Sequence, residues 1–170
     1  MAQKYLKVGT TNLEEVEGLV ASAGAGDAGK IIAADATGKL DATFLPVGVG
    51  ADTKLIAASE NLVAGDYVNI HDSTGEKVRK ADASTITKKA DGFVLENVTA
   101  PANATVYLGN KTNNAKSGLT VGAVYFLDAS TPGGVTTTVP TTAGHIRQRL
   151  GKAISTTEIA TEIGEPIVRA

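Results

Sequence analysis

The chain contains no cysteine and no tryptophan, and only 4% of its 170 residues are aromatic. Without cysteine there is no disulfide to stabilise the fold, and no thiolate to act as a nucleophile or metal ligand. The apolar content is mostly alanine and valine, so we expect a core built from small side chains. The net charge is only −2, which argues against a dominant role in nucleic-acid binding because that role usually needs a strongly basic face.

The sequence also lacks long hydrophobic runs. No apolar run approaches the roughly 20 residues that a membrane-spanning helix needs. The first seven residues, MAQKYLK, lack the apolar stretch of a secretory signal. We therefore expect no membrane partner and no export through a secretory signal.

The glycine-rich stretch from Gly24 to Lys30 matches two nucleotide-binding patterns, G-x-G-x-x-G and G-x-x-x-x-G-K. A Walker A loop also needs a serine or threonine after the lysine to hold Mg²⁺, and Ile31 occupies that position. Both motifs require a strand before the loop and a helix after it. Here the spacing of the preceding apolar residues predicts a helix, and a short apolar run stopped by a turn follows. We interpret the stretch as a flexible connector and expect no cofactor.

The polar residues do not form a recognisable catalytic set. The only histidines are His71 and His145, and we expect the first at a solvated strand end and the second at the surface. Two distant histidines without cysteine make a poor zinc site. Five basic residues form a modest positively charged patch: Lys77, Arg79, Lys80, Lys88 and Lys89. Acidic residues nearby in the sequence reduce its net charge, so we interpret the patch as a solvated edge strand. The sequence therefore predicts no catalytic, cofactor or metal site, and we expect that the protein is not an enzyme.

The composition changes near residue 53. Before it, Leu13, Val16, Leu19 and Val20 have helical spacing with Asn12 as a possible cap, which predicts a short amphipathic helix. Two brief apolar pieces follow, and the second is punctuated by glycine, aspartate and proline. These pieces cannot bury their large side chains within themselves, so we predict that residues 1–53 form an extended, partly helical arm that packs on a partner.

From residue 54 to residue 170, short β-prone runs alternate with turn residues. The sequence Asp72-Ser73-Thr74-Gly75 predicts a hairpin between two of these runs, and Gly151 predicts a bulge or corner. Eight to ten short strands with regular turns indicate a mainly β domain, either a small antiparallel β-barrel or a β-sandwich. Three of the four tyrosines fall within predicted strands, where core packing is the simplest interpretation; these are Tyr67, Tyr107 and Tyr125.

Several segments resemble small structural proteins of tailed bacteriophages. The N-terminal segments SAGAGDAGKI (22–31), GKLD (38–41) and LP (45–46) are similar to the N-terminal segments of such proteins. The segments AGDYVN (64–69), VRKAD (78–82), ADGFV (90–94), SGLTVGAVYFL (117–127) and LGKAI (150–154) are similar to their β-domain. Across nearly the whole chain, the sequence resembles the capsid decoration group, also called cement or head-fibre proteins.

This resemblance implies a virion protein that is made in the host cytoplasm and binds the outside of an assembled shell. Its partners would be the major capsid protein and two further copies of itself, in a homotrimer on local threefold axes. The residues that we expect at the capsid or intersubunit contacts are Leu13, Val16, Leu19, Ile31, Ile32, Leu40, Phe44 and Leu45. Two alternatives remain open: a tail or fibre component of the virion, and a β-domain that binds a ligand such as a carbohydrate.

Overall fold

The computed structural model describes residues 3–36, 38–41, 44 and 52–170. The chain divides into two compact units, Met1–Gly50 and Ala51–Ala170. We call them the N-terminal unit and the β-domain. Within the described residues the secondary structure consists of β-strands and short 3₁₀ turns, so the prediction of a mainly β protein is confirmed.

The N-terminal unit begins with an antiparallel hairpin of two strands, β1 (Lys4–Val8) and β2 (Leu13–Glu17). The helix predicted from the spacing of Leu13, Val16, Leu19 and Val20 is therefore wrong. In a helix, Glu14 and Glu17 would lie on one face and repel each other. In the hairpin, Glu14 lies opposite Lys7 and Glu17 lies opposite Lys4. The strand pairing thus replaces a repulsion with two attractive cross-strand pairs.

After the hairpin, the chain turns and returns alongside the end of β2. Gly18 makes this close return possible, because a Cβ at that position would lie 2.8 Å from the Cβ of Ala33. Leu19 and Ile32 form an isolated parallel bridge, in which Leu19 N donates to Ile31 O and Ala33 N donates to Leu19 O. Between the two bridge partners lies a 3₁₀ turn, Ala25–Asp27.

The β-domain contains twelve strands in two five-stranded antiparallel sheets and one two-stranded sheet. The first sheet has the order β3-β7-β6-β4-β5. Its strands are β3 (Thr53–Ala57), β4 (Tyr67–Asp72), β5 (Glu76–Lys80), β6 (Gly92–Phe93) and β7 (Asn103–Tyr107).

The second sheet has the order β10-β9-β12-β13-β8. Its strands are β8 (Thr112–Asn113), β9 (Val124–Leu127), β10 (Val135–Thr136), β12 (Arg149–Ala153) and β13 (Ile159–Thr161). The remaining pair is β11 (Ile146–Arg147) with β14 (Ile167–Val168).

No sheet closes into a barrel among the described residues, so the barrel interpretation is wrong. The first sheet comes closest to closure, because Ala58, directly after β3, forms an isolated parallel bridge with Val78 of β5. Ser59 extends the contact, since its backbone N–H donates to Val78 O at 2.9 Å. A single bridge of this kind ties the two edge strands together without a continuous ladder.

One predicted turn and one predicted bulge of the β-domain are confirmed. In the β4–β5 hairpin, Gly75 N donates to Asp72 Oδ1 at 3.0 Å, and Thr74 adopts a positive φ of 53°. In β12 the pairing register with β9 shifts between Arg149 and Gly151, which is the bulge that Gly151 predicts.

Small aliphatic side chains form most of the core, as the composition predicts. One cluster lies within the first sheet and consists only of alanine, valine, leucine and isoleucine. A second cluster takes residues from strands of both large sheets, and it includes Tyr67, Phe93, Leu127 and Leu150. The Phe93 ring stacks on Tyr107 at 5.4 Å and lies 6.0 Å from the ring of Tyr67. Three of the five aromatic side chains of the β-domain thus pack together. Core packing is confirmed for Tyr67 and also for Tyr125, which is buried in a third cluster.

Candidate binding surface

The N-terminal unit exposes large apolar side chains and buries almost none. Seven of the fifteen exposed large apolar side chains of the described chain lie within it; these are Leu6, Val8, Leu13, Val20, Ile31, Ile32 and Leu40. Among its described residues, only Ala33 is buried. Full burial of a valine, leucine or isoleucine side chain contributes roughly 1.5 to 3 kcal/mol of stabilising free energy, which these exposed side chains do not provide in the single chain. Such a density of exposed apolar side chains in a short segment favours an interaction surface.

The structure brings together some of the residues predicted at contacts. Leu19, Ile32 and Phe44 line a shallow hollow together with Asp27 and Lys30. Leu19 and Phe44 are half-buried in this hollow, whereas Ile32 remains 49% exposed.

The other predicted contact residues lie outside this hollow. Ile31 and Leu40 are exposed, with 55% and 63% of their surface accessible. Leu13 lies at the exposed tip of the hairpin, and Val16 is half-buried opposite Tyr5 on the other face. Leu45 lies outside the described residues. The predicted set therefore divides into a hollow, a hairpin and separate exposed positions.

Three exposed apolar residues of this unit were not among the predicted contacts: Leu6, Val8 and Val20. A signal for the first two exists in the sequence, since the β-prone run KYLKV is followed by the turn residues GTTN. In the structure, Gly9 N donates to Asn12 O at 2.8 Å across that turn. Leu6, Val8 and Leu13 then share one face of the hairpin, because directly paired residues of an antiparallel sheet point to the same side.

The geometry of the glycine-rich stretch differs from that of a phosphate loop. A strand, β2, precedes it, so the predicted helix on that side is wrong, but no α-helix follows in the described residues up to 41. Lys30 is held by Asp27, with 2.7 Å between Nζ and Oδ1. Asp27 Oδ2 accepts a hydrogen bond from Ala23 N at 2.6 Å. The hydrogen bond from Lys30 and that from Ala23 lower the pKa of Asp27. This stretch is therefore a local turn stabilised by its own ion pair.

The basic patch of the β-domain is tied into local contacts. Strand β5, which carries Lys77, Arg79 and Lys80, lies at the edge of the first sheet as predicted, whereas Lys88 and Lys89 lie at a 3₁₀ turn. Arg79 donates from Nε to Asn69 Oδ1 at 3.0 Å and from a terminal nitrogen to Thr87 O at 2.9 Å. Lys80 lies 3.7 Å from Asp66, and Lys89 lies 3.8 Å from Asp91. Nearby carboxylates and backbone carbonyls therefore offset much of the charge that a nucleic acid would meet.

Both histidines are half-buried, and His71 lies in β4 directly before the exposed end of the strand at Asp72. His71 Nε2 lies 3.0 Å from Ser59 Oγ. The Ser59 hydroxyl donates its single proton to Val78 O at 3.1 Å. The serine oxygen is thereby left to accept from the imidazole, which is opposite to the arrangement in which a histidine base activates a serine nucleophile.

No helix in the described ranges is long and apolar enough to cross a membrane. No group of three or more histidine, aspartate or glutamate side chains in those ranges is placed to hold a metal ion. Comparison of the chain with protein-family models, with curated proteins and with solved structures found no match.

Proposed function

We propose that this chain is a structural virion protein that binds the outer surface of an assembled bacteriophage capsid as a homotrimer. Residues 1–53 serve as the contacting arm, and the β-domain faces outward. The observation that carries the proposal is the contrast between the two units. The β-domain buries three clusters of apolar side chains and leaves eight large ones exposed. The much shorter N-terminal unit leaves seven exposed, and among its described residues it buries only Ala33.

The sequence resemblance to capsid decoration proteins indicates a capsid as the partner. The exposed apolar side chains of the N-terminal unit are the surface that would bind it. A shell presents the same site many times, so a trimer engages several sites at once. Linked contacts of this kind raise the overall affinity without requiring a deep pocket. The pockets of the described β-domain are shallow and open, which fits a protein that binds through its surface.

Leu40 and Leu55 provide a matched test of this assignment. Leu40 is 63% exposed in the N-terminal unit, and Leu55 is 67% exposed on β3 of the β-domain. Either residue can be changed to asparagine with little effect on folding, because neither side chain contributes to a buried core. Purified protein is mixed with undecorated capsids of the phage that encodes it, and binding is measured by co-sedimentation.

We expect Leu40→Asn to weaken capsid binding by about tenfold or more, since burial of one leucine contributes about 1.5 to 3 kcal/mol and 1.4 kcal/mol is a factor of ten. We expect Leu55→Asn to bind as the wild type does. Wild-type binding by both variants, or equal loss in both, would contradict the role of the N-terminal unit. Binding to isolated tails or fibres instead of capsids would place the protein elsewhere in the virion.

A further inference from the structure

The two strands of the N-terminal hairpin carry opposite charges. Strand β1 contains Lys4 and Lys7 and no acidic residue. Strand β2 contains Glu14, Glu15 and Glu17 and no basic residue. Within one hairpin, this segregation stabilises the pairing, and Lys4 Nζ lies 2.7 Å from Glu15 Oε1. The same segregation gives the hairpin one positive edge and one negative edge.

The backbone at both edges of the hairpin is available for pairing along β1 and β2, because among the described residues the returning segment Ile31–Ala33 bonds to Leu19, beyond the end of β2. Gly18 N donates to Gln3 O, and Gly9 N donates to Asn12 O, so the odd-numbered residues of β1 direct their backbone groups toward β2. Backbone groups alternate in direction along an antiparallel strand. The even-numbered residues of β1 and the odd-numbered residues of β2 therefore direct their N–H and C=O groups outward. Within the part of the chain that the structure describes, the hairpin remains a two-stranded sheet.

The exposed edges also carry apolar side chains. Leu6 and Val8 lie on β1, and Leu13 lies on β2, each more than 60% exposed at 68%, 80% and 64%. An exposed edge strand of β-prone, apolar residues is a template for pairing with another chain. The hairpin thus combines unpaired backbone, apolar side chains and complementary charge.

We infer that β1 of one copy pairs antiparallel with β2 of the next copy, and that three hairpins close into a ring in this way. The inference rests on the homotrimer of the proposed function and identifies the surfaces that form it. Pairing two β2 strands would bring glutamates close together, and pairing β1 with a second β1 would forgo every attraction between lysine and glutamate. Like charges close together destabilise a sheet and opposite charges stabilise it, so the β1-to-β2 pairing is favoured. Such head-to-tail contacts generate closed rings when the rotation closes.

One register pairs an apolar residue with an apolar residue and a lysine with a glutamate. Placing Leu6 opposite Leu13 of the next copy also places Lys4 opposite Glu15 of that copy. This register uses the outward-facing backbone groups of both strands. It also buries the leucines that are exposed in the single chain, which gives the ring an apolar contribution that salt does not screen.

A charge-reversed chain tests the electrostatic part of the inference while preserving the hairpin itself. In this variant the five charged residues of the hairpin are reversed together: Lys4→Glu, Lys7→Glu, Glu14→Lys, Glu15→Lys and Glu17→Lys. Every pair within the hairpin keeps opposite charges. The full-length wild-type and reversed chains are co-expressed with tags of different mass, and native mass spectrometry counts the trimers of each composition.

We expect wild-type trimers and reversed trimers, with mixed trimers at least about tenfold below random mixing because like charges would face each other at mixed contacts. Random mixing would overturn the inference. A wild-type monomer, or a reversed chain that does not form trimers, would also overturn it.

Cysteine cross-linking tests the register, and the cysteine-free chain gives a clean background. Leu6→Cys and Leu13→Cys are placed in separate chains that differ in tag size, and the two proteins are mixed and oxidised. We expect a disulfide between the two different chains and little cross-linking of either protein alone. Self-cross-linking of the Leu6→Cys chain, or no mixed product, would overturn the head-to-tail pairing. The mass-spectrometry and cross-linking measurements both use protein without capsids. A negative result in them is therefore distinguishable from a loss of capsid binding, which is measured with the Leu40→Asn variant.

Discussion

The side chain of Gln148 pairs with the backbone of Ala90 as a neighbouring strand would. Gln148 Oε1 accepts from Ala90 N at 2.7 Å, and Nε2 donates to Ala90 O at 2.9 Å. The same amide nitrogen donates to Gly164 O at 3.1 Å. Gln148 is only 1% exposed, so these bonds form away from water. The Gln148 side chain thus makes the hydrogen bonds to Ala90 that the backbone of a neighbouring strand would otherwise make.

Replacement of Gln148 by leucine therefore destabilises the β-domain. The substitution keeps a similar volume but leaves the buried N–H and C=O of Ala90 without partners. We expect a loss of about 3 kcal/mol in the free energy of unfolding, because each unsatisfied buried group costs about 1 to 3 kcal/mol. Urea unfolding followed by circular dichroism measures the change. The control is Gln3→Leu at an exposed glutamine, for which we expect little change; an equal loss in both would contradict the prediction.

Tyr67 makes the stability of the β-domain sensitive to alkaline pH. Its side chain is fully buried, and its hydroxyl lies 3.0 Å from Thr161 Oγ1. Burial raises the pKa of Tyr67 to about 12, while hydrogen bonds with Thr161 and Asn113 oppose the shift. Because the folded pKa is higher than the unfolded value of 10.0, the stabilisation is complete below pH 10 and is lost as the pH rises toward 12.

The comparison of wild type with Tyr67→Phe isolates this effect. Between pH 10 and pH 12 we expect the wild type to lose about 2 kcal/mol more stability than the variant, since one pKa unit corresponds to about 1.4 kcal/mol. Burial lowers the pKa of the neighbouring Lys116, which favours the folded state as pH rises and acts in the opposite direction in both proteins. Urea unfolding at several pH values gives both curves; parallel curves would contradict the assignment to Tyr67.

Gly151 is required where β12 passes β13. A Cβ there would lie 2.2 Å from the backbone oxygen of Ala160, and φ is +152°. We expect Gly151→Ala to cost about 3 kcal/mol or more, because backbone rather than a flexible side chain must move. Gly118 is the control, since it has a positive φ of 67° but no atom within 4 Å of the added Cβ. We expect Gly118→Ala to cost about 1 to 2 kcal/mol from backbone strain alone. Equal losses would show that the contact with Ala160 does not matter.

Gly18 has the corresponding role in the N-terminal unit. Valine at this position would push the Ile31–Ala33 segment away from the hairpin, since even a Cβ lies 2.8 Å from that of Ala33. We expect the amides of Leu19 and Ala33 to exchange hydrogen faster in Gly18→Val, because they donate across this contact. Hydrogen–deuterium exchange measures the rates. Gly26→Val is the matched control, because nothing lies within 4 Å of its added Cβ; unchanged exchange at Leu19 in Gly18→Val would contradict the prediction.

Local patterns predicted the strands and turns of the β-domain better than its pairing. The run around Tyr67–Asp72 and the Asp72–Gly75 turn could be recognised because apolar alternation and turn residues are local signals. Strand β8 gave no such signal, since it is only Thr112–Asn113 and depends on pairing with β13. The order of strands in each sheet depends on contacts between distant segments. No periodicity within one segment encodes those contacts.

The candidate surface was predicted in part. The predicted contact residues between Leu13 and Phe44 follow from the flanking glycine and polar residues, which cannot cover them, and Val20 is the exposed apolar residue of this range that the prediction omits. Leu6 and Val8 were missed because the helix assigned to β2 removed the strand partner that would have identified β1. For the same reason, the separation of charge between the two strands became visible only when the register was known.

The bridge between Ala58 and Val78 has a consequence for copies at high local concentration. It brings together the two edge strands of the first sheet, and the edge strands of the second sheet, β10 and β8, are only two residues long. Short or covered edges are poor templates for adding further strands. β-Domains crowded side by side therefore offer few edges at which their sheets could merge into a continuous fibre.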